Sequence, residues 1–479
     1  MLDRNELFID GNWTSPASGK YGDVIEAATE KVLGRSALAG TADIDAAVAA
    51  ARAALDGPWG SMGRPERADV LDRFAAAMTA RARDTAELVS RENGMPISLA
   101  KPTNGYGPAA MLSYYAGLIR ATEDEEVRPG ALGGRTVVRS EPVGVVAAIT
   151  PWNYPQPLAA MKIAPALAAG CTVVLKAAPE TALDAFVFAD AAQEAGLPAG
   201  VLNVVPGGRE AGAHLVEHPG VDKVAFTGST VAGRAIGEVC GRLLRPVTLE
   251  LGGKSAAIVA EDADLDVFAG HLLEVSLVNN GQTCHASTRI LAPRSRYGEV
   301  VDAVTETVRA LRIGDPLDKA TAIGPLVSAA QRDRVLGHIE AGRADGYQIT
   351  TGGGVPADLP QGWFVEPTVF AGVDNSAPIA QEEIFGPVLT ITEYAGVEDA
   401  VRIANDSEYG LGGTVWTADE ERGLELARRI RTGSVGVNHY ALDLTAPFGG
   451  VKASGLGREL GPEGLAPYLA PKSVYFATR

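Results

Sequence analysis

Short apolar runs alternate with longer alanine-rich stretches along most of this chain, and that alternation sets the expected architecture. Residues 143–149 are a continuous apolar run, the pattern of a strand buried on both faces. Residues 157–169 follow as a helix apolar on all sides, residues 171–176 as the next strand and residues 181–195 as the next helix. Residues 202–205 and 221–226 repeat the strand pattern. Strands spaced by helices predict a parallel sheet covered on both faces, with ligands at the C-terminal strand ends. A second block, from about residue 251 to residue 430, carries the same alternation, with helices expected over 265–278 and 297–311 and a strand over 387–391. Residues 125–140 are polar, glycine-containing and partly alternating, which reads as a hairpin arm outside the core. No internal repeat and no long linker interrupts the pattern.

Size and composition narrow the class. A chain of 479 residues holds about three domains of ordinary size. With 46% hydrophobic and 21% charged residues, neither a fibrous nor a disordered reading fits. The net charge of −17, from 42 basic and 59 acidic residues, argues against nucleic acid or an anionic membrane as partner. The N-terminus lacks a signal-peptide pattern, and the apolar runs fall short of the roughly eighteen residues a membrane span needs. A cytoplasmic location is the expectation. Three cysteines, Cys171, Cys240 and Cys284, are few, odd in number and far apart, so no disulfide framework is expected. No metal site is expected either.

Three motifs look chemical and fail on inspection. His214-Leu-Val-Glu-His218 fits a metallopeptidase pattern, but Pro219-Gly220 ends its helix and no third ligand is evident. Gly252-Gly-Lys-Ser255 lacks the upstream glycine of a phosphate loop, where Thr248 stands. Gly228-Ser-Thr-Val-Ala-Gly233 follows a strand and opens a helix without the middle glycine of the dinucleotide fingerprint, so a tight turn is the plain alternative. Cys284 is different. It ends the polar segment Asn279-Asn-Gly-Gln-Thr-Cys284, a setting that suits an exposed thiol, and a positive local field would supply the thiolate that attack requires. Glu250 ends the apolar run begun at Val247 and precedes two glycines, where a carboxylate can serve as a general base.

Taken together, the chain resembles the aldehyde dehydrogenase superfamily over nearly its whole length. The resemblance rests on Thr150-Pro-Trp-Asn-Tyr-Pro155, Phe226-Thr-Gly-Ser-Thr230 with Gly233, Glu250-Leu-Gly-Gly-Lys254 and Gly281-Gln-Thr-Cys284. Glu382-Glu-Ile-Phe-Gly-Pro387, Asn405 through Leu411, Pro447 through Gly455 and Gly457-Arg-Glu459 complete it in the family's order. The resemblance implies an NAD(P)-dependent oxidation of an aldehyde to a carboxylic acid through a cysteine thiohemiacetal and thioester. Cys284 is then the nucleophile, Asn153 an oxyanion donor, Glu250 the base that activates water, and Lys162 a residue that orders cofactor and catalytic groups. Lys176 and Glu383 are implied to hold the two riboses, Phe385 the nicotinamide end and Ser229 the pyrophosphate, with Trp152, Gly228, Gly233 and Leu251 also at the cofactor.

The implied fold is α/β: a Rossmann-like cofactor domain over residues 1–121 and 141–249 and an α/β catalytic domain over 250–435. A small β oligomerisation arm over 122–140 and 462–479 is implied too, with residues 436–461 returning to close the site. The arm implies a homodimer or homotetramer. One departure concerns cofactor choice. Many NAD-preferring members read Lys-x-x-Glu after the strand, whereas this chain reads Lys176-Ala-Ala-Pro179, with Glu180 one place late. Proline neither accepts the ribose hydrogen bonds nor repels a 2′-phosphate, so NADP is possible, and NAD is the expectation because no arginine adjoins that turn. By position, Tyr154, Met161, Thr283, His285, Leu442 and Phe448 line the substrate tunnel, mainly apolar, which suits a medium aliphatic or aromatic aldehyde. A Cys284–His285 dyad is disfavoured because adjacent side chains point apart. Two alternatives are a CoA-acylating relative, disfavoured by Glu250, and a non-catalytic binding protein that keeps the fold.

Overall fold

The computed structural model describes residues 2–131 and 133–477. Five parallel strands, Val145–Ile149, Thr172–Lys176, Leu202–Val204, Lys223–Thr227 and Val247–Glu250, form the centre of an eight-stranded sheet. Val145–Ile149 is paired with Thr172–Lys176 on one side and with Lys223–Thr227 on the other. The chain therefore changes direction across the sheet beside Ile149, and such switch points open a crevice at the C-terminal strand ends. The helix Pro155–Ala169 is buried along its whole length, which is why its sequence shows no polar face. Pro155 starts it and Gly170, at φ 93°, ends it in the left-handed region.

A second, seven-stranded sheet contains Ala256–Val259, Arg289–Pro293, Thr368–Ala371, Val388–Tyr394 and Gly413–Trp416, all parallel. The chain passes from the first sheet to the second between Glu250 and Ala256. It returns late: Gly436–Val437 adds to the second sheet and Gly455–Leu456 to the first. Glu125–Pro129, Arg135–Pro142 and Leu469–Phe476 make a separate antiparallel sheet, with Leu469 opposite Pro142 and Phe476 opposite Arg135. Among the described residues, no helix is long and apolar enough to cross a membrane.

The expected helix over 265–278 differs from what forms. Regular α-helix stops at Leu272, a wider π-type turn spans Leu273–Leu277, and Asn279 and Asn280 then take φ of 52° and 60°. Left-handed backbone at two successive residues turns the chain sharply, and asparagine tolerates that region better than most side chains. The turn delivers Cys284.

Candidate active site

The loop that ends in Cys284 is anchored through its own amides. Asn280 donates to the carbonyls of Gly94 and Pro325, both at 2.9 Å, and accepts from the Gly324 N–H at 2.7 Å. Gln282 accepts from the Val327 N–H at 3.0 Å. Asn279 donates to the Asn153 carbonyl at 2.9 Å, and Asn93 donates to the Trp152 carbonyl at 2.6 Å. Buried backbone groups must find partners, and here side-chain amides supply them. The result fixes residues 152–154 against residues 279–284. Asn153 Nδ2 donates one hydrogen bond to the Gln282 carbonyl at 3.0 Å, which leaves its second N–H without a partner among the described residues.

Cys284 is half-buried, between the ends of the two sheets, and its thiol is pushed up to about 12 by burial, with Glu383 and Glu250 acting in the same direction. The backbone amides of Cys284 and His285 oppose this. The positive local field that would supply the thiolate is therefore not present: two carboxylates act on the sulfur instead. His285 does not form a dyad with it. Its ring stacks on Tyr440 at 4.8 Å and meets Phe448 edge-on at 6.0 Å, and burial holds its pKa down to about 4, so it is a neutral wall.

Glu250 ends the strand Val247–Glu250 and is buried, with no hydrogen-bond partner for either carboxylate oxygen among the described residues. Burial and the neighbouring Glu459 raise its pKa well above the ordinary value, with Lys162 and Arg458 opposing. Gly449, at φ 151°, lies against it; a Cβ there would stand 2.5 Å from Glu250 Oε1. Lys162, wholly buried, donates to Glu459 Oε1 at 2.8 Å and to the Thr227 hydroxyl at 2.6 Å. Glu459 Oε2 has no partner. Glu459 and Thr227 carry no role in the sequence reading; only the fold shows that they enclose Lys162.

A cleft of about 510 Å³ opens at the switch point, lined by Ile149, Lys176, Phe226 and Ser229 and by faces of the helices Arg209–Glu217 and Thr230–Leu243. Ser229 caps the second of these helices, accepting from the Ala232 N–H at 3.3 Å. Gly228 and Gly233 do not line the cleft: a Cβ on Gly228 would strike the Phe226 ring, and one on Gly233 would strike Leu251. Their glycines serve packing, with Leu251 seated under the helix. Glu383 accepts from the Gly253 N–H at 2.9 Å and is pushed up to about 7 by burial. Phe385 adopts φ 62°, held by Gln331 donating to its carbonyl at 2.8 Å, and its ring meets Trp152 edge-on at 5.3 Å. A non-glycine residue at that φ is uncommon.

Comparison with known proteins shows the family. The sequence model described as "Aldehyde dehydrogenase family" matches residues 13–474. The chain belongs to the aldehyde dehydrogenase family. It is similar to geranial dehydrogenase of Castellaniella defragrans, 54% identical over 475 residues, covering 99% of each chain. It is also similar to the solved structure of Mycobacterium tuberculosis aldehyde dehydrogenase complexed with NAD+, at a TM-score of 0.97, with 48% identity and 99% of each chain covered. A third relative is a mutant of aldehyde dehydrogenase C from Pseudomonas syringae, solved with NAD+ and octanal. There the TM-score is 0.95 and the identity 39%, over 98% of this chain and 96% of that one.

In this aldehyde dehydrogenase, Met161 and Phe448 are buried in one apolar cluster against which Tyr154 and Cys284 pack. The Tyr154 hydroxyl lies 2.9 Å from the Thr283 hydroxyl, which donates to the Val278 carbonyl at 3.0 Å. Leu442 is partly exposed and lines, with Phe448 and Tyr440, an open recess of about 250 Å³. Tyr440 was not foreseen; an isolated tyrosine in a polar loop carries no sequence signal for a pocket. The metallopeptidase-like motif is dismantled: His214 and His218 both face Asp45, at 2.6 and 3.4 Å, while Glu217 turns to Arg242 at 3.6 Å.

Proposed function

We propose that this chain oxidises a medium-sized, mainly apolar aldehyde to its carboxylic acid with NAD(P), through covalent intermediates on Cys284. The observation that carries the reading is that Asn153 is hydrogen-bonded to Gln282, two residues before Cys284, while Glu250 lies close enough to raise the pKa of the Cys284 thiol. Cleft and donors fit a dinucleotide: Lys176 offers an unpaired ammonium, Ser229 stands at a helix start, and Glu383 and Phe385 stand on the Cys284 side of the fold.

The sulfur of Cys284, once deprotonated, adds to the aldehyde carbon, and the carbonyl electron pair moves onto oxygen. The free N–H of Asn153 and the backbone N–H of Cys284 receive that oxyanion, a contact typically worth about 2.7–4 kcal/mol per donor. When bound, the dinucleotide supplies the hydride acceptor. The thioester left on Cys284 is attacked by water, whose proton passes to Glu250; the C–S bond then breaks and the carboxylate departs. Because Glu250 must be ionised to act and burial, with Glu459, raises its pKa, hydrolysis should accelerate as pH rises well above the ordinary carboxylate range. Lys162, bonded to Glu459 and Thr227, supplies the positive charge that favours ionised Glu250.

An apolar pocket wall of Met161, Phe448, Tyr154 and Tyr440 supports the substrate class. So do the relatives named for geranial and solved with octanal, both apolar aldehydes. A cytoplasmic homodimer or homotetramer, joined through the three-stranded arm, completes the proposal.

The test separates the two half-reactions. Cys284→Ala should abolish oxidation. Glu250→Gln should release a burst of about one equivalent of reduced cofactor, then turn over about 10²–10⁴-fold more slowly than wild type. Mass spectrometry should find the acyl group on Cys284 and not on Cys171 or Cys240. Wild-type turnover by Glu250→Gln would assign water activation to another group.

A further inference from the structure

We propose that His271, Glu274 and His439 form a binding site for a divalent ion of the zinc class, at the rim of the recess that Tyr440, Leu442 and Phe448 line. One ligating atom from each of the three side chains lies within 4.8 Å of the other two. The site uses none of the residues placed at Cys284 or in the dinucleotide cleft. An ion held there ties a wall of the recess to the helix that leads toward the nucleophile loop.

His271 stands in the last turn of the helix Leu265–Leu272, and Glu274 follows in the wider turn Leu273–Leu277, so the two side chains share one face. His271 Nδ1 lies 3.2 Å from Glu274 Oε2. Two ligands of one tetrahedral zinc ion, each bound at about 2.0–2.1 Å, stand about 3.3 Å apart, so this pair is already at ligand spacing. Among the described residues neither side chain has another hydrogen-bond or ion-pair partner. The His271 ring is set from behind by the buried ring of Trp416, at 5.9 Å, whose indole N–H donates to the Thr414 hydroxyl.

His439 arrives from a different element. The strand Gly436–Val437 lies at the edge of the second sheet, and Asn438, at φ 53°, then turns the chain. The Asn438 amide fixes that turn twice, accepting from the Thr417 N–H at 2.9 Å and donating to the Thr417 carbonyl at 2.8 Å. Gly436 lets the chain fold back, because a Cβ there would stand 1.7 Å from the His439 carbonyl oxygen. The His439 ring comes to rest 6.0 Å from the His271 ring, at 71° to it, and its nitrogens hydrogen-bond to no described residue. Two imidazoles and a carboxylate are the donor set that zinc takes, and three protein ligands facing solvent leave a fourth position for water. Magnesium and calcium prefer oxygen ligands throughout and are poorly matched. His439 is far along the chain from His271, so no ligand spacing marks the site in the sequence.

The experiment titrates zinc chloride by calorimetry into Cys284→Ala protein, which lacks the one partly exposed thiol; Cys171 and Cys240 are buried. One ion should bind per chain. In the same background His439→Ala and Glu274→Gln should each weaken binding by about 10-fold or more, since even losing a group behind a metal ligand costs that much. Both side chains are exposed, so far-ultraviolet circular dichroism should not change. Zinc should raise the Tm of the Cys284→Ala protein and leave that of the His439→Ala variant in place, because a ligand stabilises only the folded state that binds it. Magnesium chloride should do neither. The proposal is overturned if no saturable binding is found, or if either variant binds zinc within about threefold of its parent; His271 and Glu274 are then an ordinary ion pair. Should His439→Ala fail to fold, Glu274→Gln decides. None of these measurements uses aldehyde turnover, so failure of the proposed reaction would leave them standing.

Discussion

Replacing Asn280 with alanine tests whether side-chain amides hold the nucleophile loop in place. Asn280 is wholly buried, and its amide satisfies three buried backbone groups: the carbonyls of Gly94 and Pro325 and the N–H of Gly324. Each group left unpaired costs about 1–3 kcal/mol. A water drawn into the vacated space recovers part of this, so the lower half of the sum, about 3–6 kcal/mol, is the expected hydrogen-bonding loss. Asn280 also sits at φ 60°, ψ 27°, where a Cβ without a compensating amide costs about 1–2 kcal/mol more. The total is a large share of the 5–15 kcal/mol typical of a whole domain.

Two variants divide that total. Asn280→Gly loses the same hydrogen bonds but accepts the left-handed backbone, so it should be the more stable of the two by about 1 kcal/mol. Urea unfolding followed by tryptophan fluorescence gives the midpoints, and the burst of reduced cofactor counts the sites whose Cys284 is still correctly presented. Both variants should show a reduced burst, because the anchoring amide lies four residues before the sulfur. An Asn280→Ala protein within about 1 kcal/mol of wild type and with a full burst would refute the reasoning, and would mean that the loop is held by Gln282 and Asn279 alone.

Two further outcomes are expected. Burial pushes Asp184 up to about 7, with Gln156 donating to it, and Glu92 beside it is raised further by burial and by Asp184. A carboxyl whose folded pKa is raised contributes stability that is complete below its unfolded value and is lost as pH rises through the folded value. Thermal stability should therefore fall between about pH 5 and pH 8, and Asp184→Asn should flatten that slope; parallel slopes would remove the pair from the account. Deleting the last eight residues removes most of the strand Leu469–Phe476, whose Tyr475 is 80% exposed on an unpaired sheet edge. Light scattering should then show monomers or aggregates, and an unchanged oligomer would exclude the arm as the contact.

What could be read from the sequence was what neighbours along the chain decide. Burial on both faces dictates continuous apolar strands, so the parallel sheet and the wholly buried helix Pro155–Ala169 were visible as patterns of residue type. Cys284 and Glu250 stood out because polar residues interrupt those patterns at strand and helix ends, whereas Asn153 was implied only by the family resemblance of Thr150 through Pro155. What stayed hidden depends on distance along the chain. Glu459 reaches Lys162 across 297 positions, and no local signal marks a glutamate as the partner of a lysine that far away. The carboxylates near Cys284 stayed hidden for the same reason: a polar segment suits an exposed thiol but says nothing of the charges that distant parts of the chain bring to it. The fold closes Glu250 and Glu383 around the sulfur, and desolvation acts with them.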